Sequence, residues 1–255
     1  MKRQFLAFAK SKSTLFFLLV AAGLSIGITS CSKDEDAPKS EVSNENAAVM
    51  VTQSVTAQGG FVEQVNRATL AISSLEARKA EGGRLADFCG KSEKDSIKLS
   101  GNGNNFGFDY ALYWSYGLTC QQNTIPSQFA FDFSGRVALL TEQFSTSSNY
   151  ASVYTLRGLN EGSANWEISQ KYDATGKLDA KTTEFPSYSS EIHYESSDIK
   201  VSKRTRQIIA GTASVKISGK DSKGTAFSYQ GIITFKGDNK ATYIVNGGGS
   251  FELQW

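Results

Sequence analysis

FGFDYALYWSYGLTC, residues 106–120, is the stretch on which the architecture turns. Its even positions hold Phe106, Phe108, Tyr110, Leu112, Trp114, Tyr116, Leu118 and Cys120; its odd positions hold Gly107, Asp109, Ala111, Tyr113, Ser115, Gly117 and Thr119. Successive side chains of a strand point to opposite faces, so this alternation predicts a β-strand with one buried face. At about 3.4 Å per residue it would run roughly 50 Å, far beyond the usual strand length. Such a strand has to coil or bulge, and Gly117 is the expected place.

Downstream the period of two continues. SQFAFDF (127–133) is expected to turn at Ser134-Gly135 into RVALLTEQF (136–144), followed by YASVYTLRGL, NWEISQKYD, GKLDAKTTEF and YSSEIHYES. Asp173-Ala174-Thr175-Gly176 carries the composition of a hairpin connection. QIIAGTASVKIS (207–218) and TAFSYQGIITFK (225–236) flank GKDSKG, with Ile209, Ala213, Val215 and Ile217 expected on one face. Gly237-Asp238-Asn239 turns into ATYIV, Gly247-Gly248-Gly249 turns again, and FELQW closes the chain. The pattern predicts about ten to twelve antiparallel strands.

Upstream the period is helical. FVEQVNRATLAISSLEARKA (61–80) gathers Phe61, Val62, Val65, Ile72 and Leu75 on one side. Gly59-Gly60 should break or kink the preceding turns, and Gly82-Gly83 should end the helix. The fold class is therefore mainly β (α+β): an N-terminal helical segment over about 47–80, then an antiparallel meander over about 85–255. The sheet either curls around the helix as a half-barrel, resembling lipoprotein carriers in general shape, or splits into a sandwich.

The first thirty residues are of another kind. Lys2, Arg3, Lys10 and Lys12 precede LFFLLVAAGLSIGI (15–28), whose only polar member is Ser25. A membrane-spanning helix needs about 20 apolar residues; a shorter run, basic before and small after, is the pattern of a signal peptide. ITSC (28–31) resembles a bacterial lipobox, in which cleavage occurs before the cysteine and its sulfur carries diacylglycerol in thioether linkage, with acyl chains such as palmitate. Lys33-Asp34-Glu35-Asp36 is similar to the export signal beside the acylated cysteine of Bacteroidota surface lipoproteins. The resemblance implies an outer-membrane lipoprotein anchored through Cys31, on the cell surface where the export signal operates and on the periplasmic face otherwise. It covers the signal peptide, lipobox and adjacent charges, and carries no activity. Polar residues 31–46 read as a hydrated tether.

Removing residues 1–30 takes away four of 27 basic residues and none of 25 acidic ones, leaving 23 against 25. A mature chain near −2 has no basic excess for phosphate backbones, so no nucleic-acid partner is implied. Beyond Cys31, Cys89 and Cys120 remain, and an even pair in an exported protein reads as a disulfide.

Few residues point to chemistry. Along a strand, Glu191, His193 and Glu195 share one face, where they could hold a cation or a ligand; a charged outer face is the simpler reading. With His193 the only histidine, a histidine-dependent nucleophile would have to use it, and no G-x-S-x-G elbow stands nearby. Asp109, Asp132, Glu142, Glu167 and Asp173 supply carboxylates without singling out a pair. GNGNNFG (101–107) leads into a strand, which suits a turn and not a phosphate cradle. Tyr113, Trp166, Tyr172, Tyr188 and Tyr194 are candidates for stacking on sugars or lipid tails, or for core packing. Asp95-Ser96-Ile97 resembles the O-glycan acceptor sequon of Bacteroidota proteins, with Ser96 as acceptor. Phe251, Leu253 and Trp255 resemble the terminal signal of outer-membrane barrels, which a lipid anchor makes redundant. No cofactor or metal is implied. The expected role is a binding or structural module for a glycan, lipid or protein ligand, with a lipid carrier or a hydrolase as competing classes.

Overall fold

The computed structural model describes residues 39–255, except 58, 81–83, 104, 123 and 161. The signal peptide, Cys31 and the Lys33–Asp36 charges lie outside the described residues. The N-terminal helical segment is two helices, broken at Gly59-Gly60 as expected. Ser43 caps α1 (Asn44–Thr56) through a capping box with Asn46, and α2 spans Phe61–Ala80. Gly59, at φ +76°, and Gly60 separate them; a Cβ on Gly60 would lie 2.7 Å from the Ser54 carbonyl, which suits the break to glycine. A 3₁₀ turn, Leu85–Phe88, leads into the sheet.

Ten strands then follow in sequence order in one sheet: β1 (Ser92–Asn102), β2 (Gly107–Gln121), β3 (Ile125–Leu140), β4 (Phe144–Arg157), β5 (Asn165–Ala180), β6 (Tyr188–Ser202), β7 (Ile208–Asp221), β8 (Ala226–Gly237), β9 (Lys240–Val245) and β10 (Ser250–Gln254). Every neighbour is antiparallel, and β1 and β10 are edges that do not pair with each other. The meander is open and continuous, not split into a sandwich.

The sheet curls around the helices. The Phe61 ring lies 6.3 Å from Tyr154 of β4 and 5.3 Å from Phe235 of β8, although four inter-strand steps of about 4.8 Å would part those strands in a flat sheet. Ala47, Met50, Val51 and Val55 of α1 and Phe61, Val65, Ile72 and Leu75 of α2 join the inward residues of the strands in one core. Arg78 of α2 holds Glu93 of edge strand β1 at 2.9 Å. The Tyr116 hydroxyl also donates to Glu93, and both contacts keep that carboxyl below its usual range.

Several sequence expectations change. The tether does not extend through Asn46: Val42 is buried, Ser43 caps α1, and Ser40 and Glu41 are bound to Asp221. The irregularity in β2 falls at Thr119/Cys120, opposite β3, and not at Gly117. Ser134-Gly135 and Asp173–Gly176 are not turns, because both lie inside unbroken strands of 16 residues. Gly135 is there for space: a Cβ would come within 2.6 Å of the Leu112 side chain and 2.7 Å of the Ala111 carbonyl. In β7 a register shift near Gly211 turns Ile208 inward and leaves Ile209 exposed. The Asp238-Asn239 turn forms as expected, both residues at positive φ.

Candidate functional site

The concave face is largely filled. Gln64, fully buried, donates to the Gly59 carbonyl at 2.7 Å and accepts from the hydroxyls of Tyr154, at 2.8 Å, and Ser152. Tyr194 bonds Ser54 of α1. Burial pushes the hydroxyls of Tyr154 and Tyr194 far up, so they remain neutral. Small inward residues, Ser148, Ala174, Gly176 and Ser190, leave a gap of about 130 Å³ beside the end of α1, bordered by Met50 and Leu178. That is below the roughly 300–1,000 Å³ usual for small-molecule sites.

The convex face offers a larger recess. Along β2, Ala111, Tyr113 and Ser115 point outward, opposite Lys98, Ser96 and Lys94 of β1 and Arg136, Ser134 and Asp132 of β3. Around Tyr113 this makes an open trough of about 450 Å³. The Tyr113 ring is 44% exposed, with the Lys98 ammonium 5.5 Å from its centre. The Ser115 hydroxyl reaches Asp132 at 3.5 Å, and Arg136 pairs with Asp109 at 3.2 Å. The trough combines one apolar ring, three serine hydroxyls, a carboxylate and lysines. Such a surface stacks on one face of a ligand and hydrogen-bonds its edges.

Glu191, His193 and Glu195 do share the convex face of β6. They do not converge. His193 Nδ1 meets Asp173 Oδ1 of β5 at 2.7 Å, while Glu195 lies 3.5 Å from Lys171. Lys216 of β7 stands opposite His193. Among the described residues no three metal-type side chains form a group. The carboxylates from the sequence scatter likewise: Asp109 pairs with Arg136, Glu142 bonds Asn105, and Asp173 holds His193.

Trp166, Tyr172, Tyr188 and Tyr194, candidates for exposed rings, are core residues. Their β5 and β6 neighbours face outward with polar groups, which gives the sequence its polar intervals. Tyr113 alone of that set is exposed. Ser96 is exposed and is the direct cross-strand partner of Tyr113. Cys89 and Cys120 are disulfide-bonded, with Cα atoms 5.6 Å apart. Asp221, which captures the N-terminal segment, is a residue that sequence reading passed over; a turn aspartate in GKDSKG gave no sign of a partner 180 residues away. Comparison with known proteins finds no matching family, no matching curated protein and no matching solved structure.

Proposed function

We propose that this chain is an exported lipoprotein, acylated at Cys31 and held at the outer membrane, whose β body is a binding module that presents the Tyr113 trough to a hydroxyl-rich ligand such as a glycan. The carrying observation is the exposed Tyr113 ring set among Ser96, Ser115, Ser134, Asp132 and Lys94 on a rigid sheet. Sugar rings offer an apolar face for stacking and hydroxyls for the flanking groups. An interior filled by α1 and α2, with about 130 Å³ left over, weighs against a carrier of whole acyl chains. The His193–Asp173 pair has no companion nucleophile in hydrogen-bond contact among the described residues, which gives a hydrolase little support.

Two experiments test this reading. Cys31→Ala should move the protein from the membrane fraction to the soluble fraction; unchanged fractionation counts against the anchor. On a glycan array, Tyr113→Ala should lose binding by about two- to tenfold, the scale of one aromatic stacking contact. Equal binding by the variant would remove the trough from consideration. A glycan attached to Ser96 would itself lie across the Tyr113 ring, so the mass of the peptide spanning residues 92–98 distinguishes an attached sugar from a bound one.

A further inference from the structure

One register line, Gly101–Phe108–Leu139–Thr146–Leu178–Tyr188–Asp221, crosses seven strands of the sheet. It places the β1–β2, β3–β4, β5–β6 and β7–β8 connections on a single rim. Asp221 ends that line, and its carboxylate accepts from the Ser40 hydroxyl and the Glu41 amide. The chain therefore joins the β body at this rim.

Nine residue steps lie between Cys31 and Ser40. A fully extended chain covers at most about 3.3–3.6 Å per residue, so the rim is leashed within about 32 Å of Cys31. Among the polar side chains of this rim two large apolar ones are also exposed. Phe106 and Leu140 are 50% and 45% exposed. Behind them stand Phe108, 5.8 Å from the Phe106 ring, and the Phe144–Phe185 pair at 6.2 Å. Several rim charges are spoken for locally: Lys177 with Asp179, Lys223 with Glu41, and Lys181 with the Thr141 carbonyl. The opposite rim carries the cations Lys203, Arg204 and Arg206 in the β6–β7 turn, with Ile125 and Ile209 its exposed apolar residues.

From these facts we infer that the Asp221 rim seats on the bilayer surface, with Phe106 and Leu140 entering the headgroup–acyl boundary. The inference rests on acylation of Cys31, the reading of the preceding subsection. A few apolar side chains hold a soluble protein on lipid only weakly, and secure attachment takes a second signal. With the tether in place the rim contact becomes intramolecular, at an effective concentration in the millimolar range, so a weak contact suffices to orient the body. The strands then stand on end, and the Tyr113 trough faces sideways from the membrane.

The test uses the full acylated chain in phosphatidylcholine vesicles whose acyl chains carry bromine, a short-range quencher of tryptophan. Phe106→Trp and Ile125→Trp are compared, each against the background of the native tryptophans. The added emission of Phe106→Trp should shift to the blue and lose about half its intensity, as expected for a ring seated about 5–10 Å into the boundary; that of Ile125→Trp should not change. Equal responses would overturn the proposal. So would a blue shift at Phe106→Trp without bromine quenching and with sedimentation as a dimer, which would assign the rim to a second copy. Failure of the anchor reads out separately, as an unmodified Cys31 in the N-terminal peptide mass. In that event coupling Cys31 to a maleimide lipid restores the tether, and the same comparison decides the rim.

Discussion

The Asp221 carboxylate accepts hydrogen bonds from the Ser40 hydroxyl at 2.9 Å and the Glu41 amide at 3.1 Å, tying the N-terminal segment to the β7–β8 turn. The same carboxylate takes the amides of Lys223 and Thr225 at 3.0 and 2.9 Å. Desolvation pushes its pKa up, but these four donors outweigh it and hold the group below its usual value. A depressed carboxylate stabilises the fold above the unfolded-state value, near 3.9, and loses that contribution as pH falls through the folded one. The docked segment should therefore hold at neutral pH and loosen only below about pH 4. The Glu41 amide resonance would report this in an NMR titration. Asp221→Ala should shift that resonance toward its coil position at every pH and flatten the titration; a wild-type-like resonance in the variant would rule out the clamp.

The disulfide is a second tie, joining the turn after the 3₁₀ segment to the end of β2 across 31 residues. In the chain-entropy account a loop of that size contributes about 3.5–4 kcal/mol by restricting the unfolded chain. The Cys89→Ser/Cys120→Ser double variant should lose about that much in urea unfolding. The intact protein should weigh two hydrogens less under non-reducing conditions than after reduction. Equal masses would show free thiols.

How much of this was legible in the sequence follows from the range of the interactions. Alternation in 107–120 and the helical stripe through Phe61, Val65, Ile72 and Leu75 are local, and both read through to the structure; Phe106, expected on the buried face, precedes β2 and is half exposed because no strand neighbour covers it. The β3 and β5 errors arose because Ser-Gly and Asp-Ala-Thr-Gly are turn compositions only when nothing longer-ranged overrules them. Here antiparallel neighbours on both sides pair through each stretch, and Gly135 is present to clear Leu112. For the candidate site, Tyr113 was readable as the bulky residue on the polar parity of its strand. Its companions were not, since Ser96, Asp132 and Ser134 come together only through strand register. Burial of Trp166, Tyr172, Tyr188 and Tyr194 likewise depends on which face curls inward.

Gly211 marks a place where the curl is fixed by backbone. Between β6 and β7 the register jumps from Glu195–Ser214 to Lys200–Ala210, and Asp198 bridges the gap by accepting the Thr212 amide at 3.0 Å. Gly211 sits at φ +125°, and a Cβ would lie 2.6 Å from the Ile199 Cα. Gly211→Ala combines an unfavourable dihedral with backbone overlap, so it should cost about 2–5 kcal/mol in urea unfolding. Gly224, at φ +82° with open space around it, is the control: Gly224→Ala should cost only about 1–2 kcal/mol. Equal costs would mean that the β6–β7 shift yields without strain.

Two buried glutamines on the concave side make opposite predictions. Gln64 is bonded to the Gly59 carbonyl and to the hydroxyls of Ser152 and Tyr154. Gln170, 3% exposed, has no partner among the described residues for either amide atom. Leucine fills a similar volume in each place. Gln64→Leu strands the partner groups in the core, at about 1–3 kcal/mol for each one left unsatisfied, and should be among the most damaging substitutions in the chain. Gln170→Leu removes a polar group that already bears its desolvation cost and should be neutral or stabilising by up to about 2 kcal/mol. Ser152→Ala on the Gln64→Leu background should recover part of the loss, because it deletes one stranded hydroxyl, and the double-mutant cycle isolates that coupling. Urea midpoints of the wild type, Gln64→Leu, Ser152→Ala, their double variant and Gln170→Leu decide the matter. A loss at Gln170→Leu matching that at Gln64→Leu would show that the second amide is bonded in solution as firmly as the first.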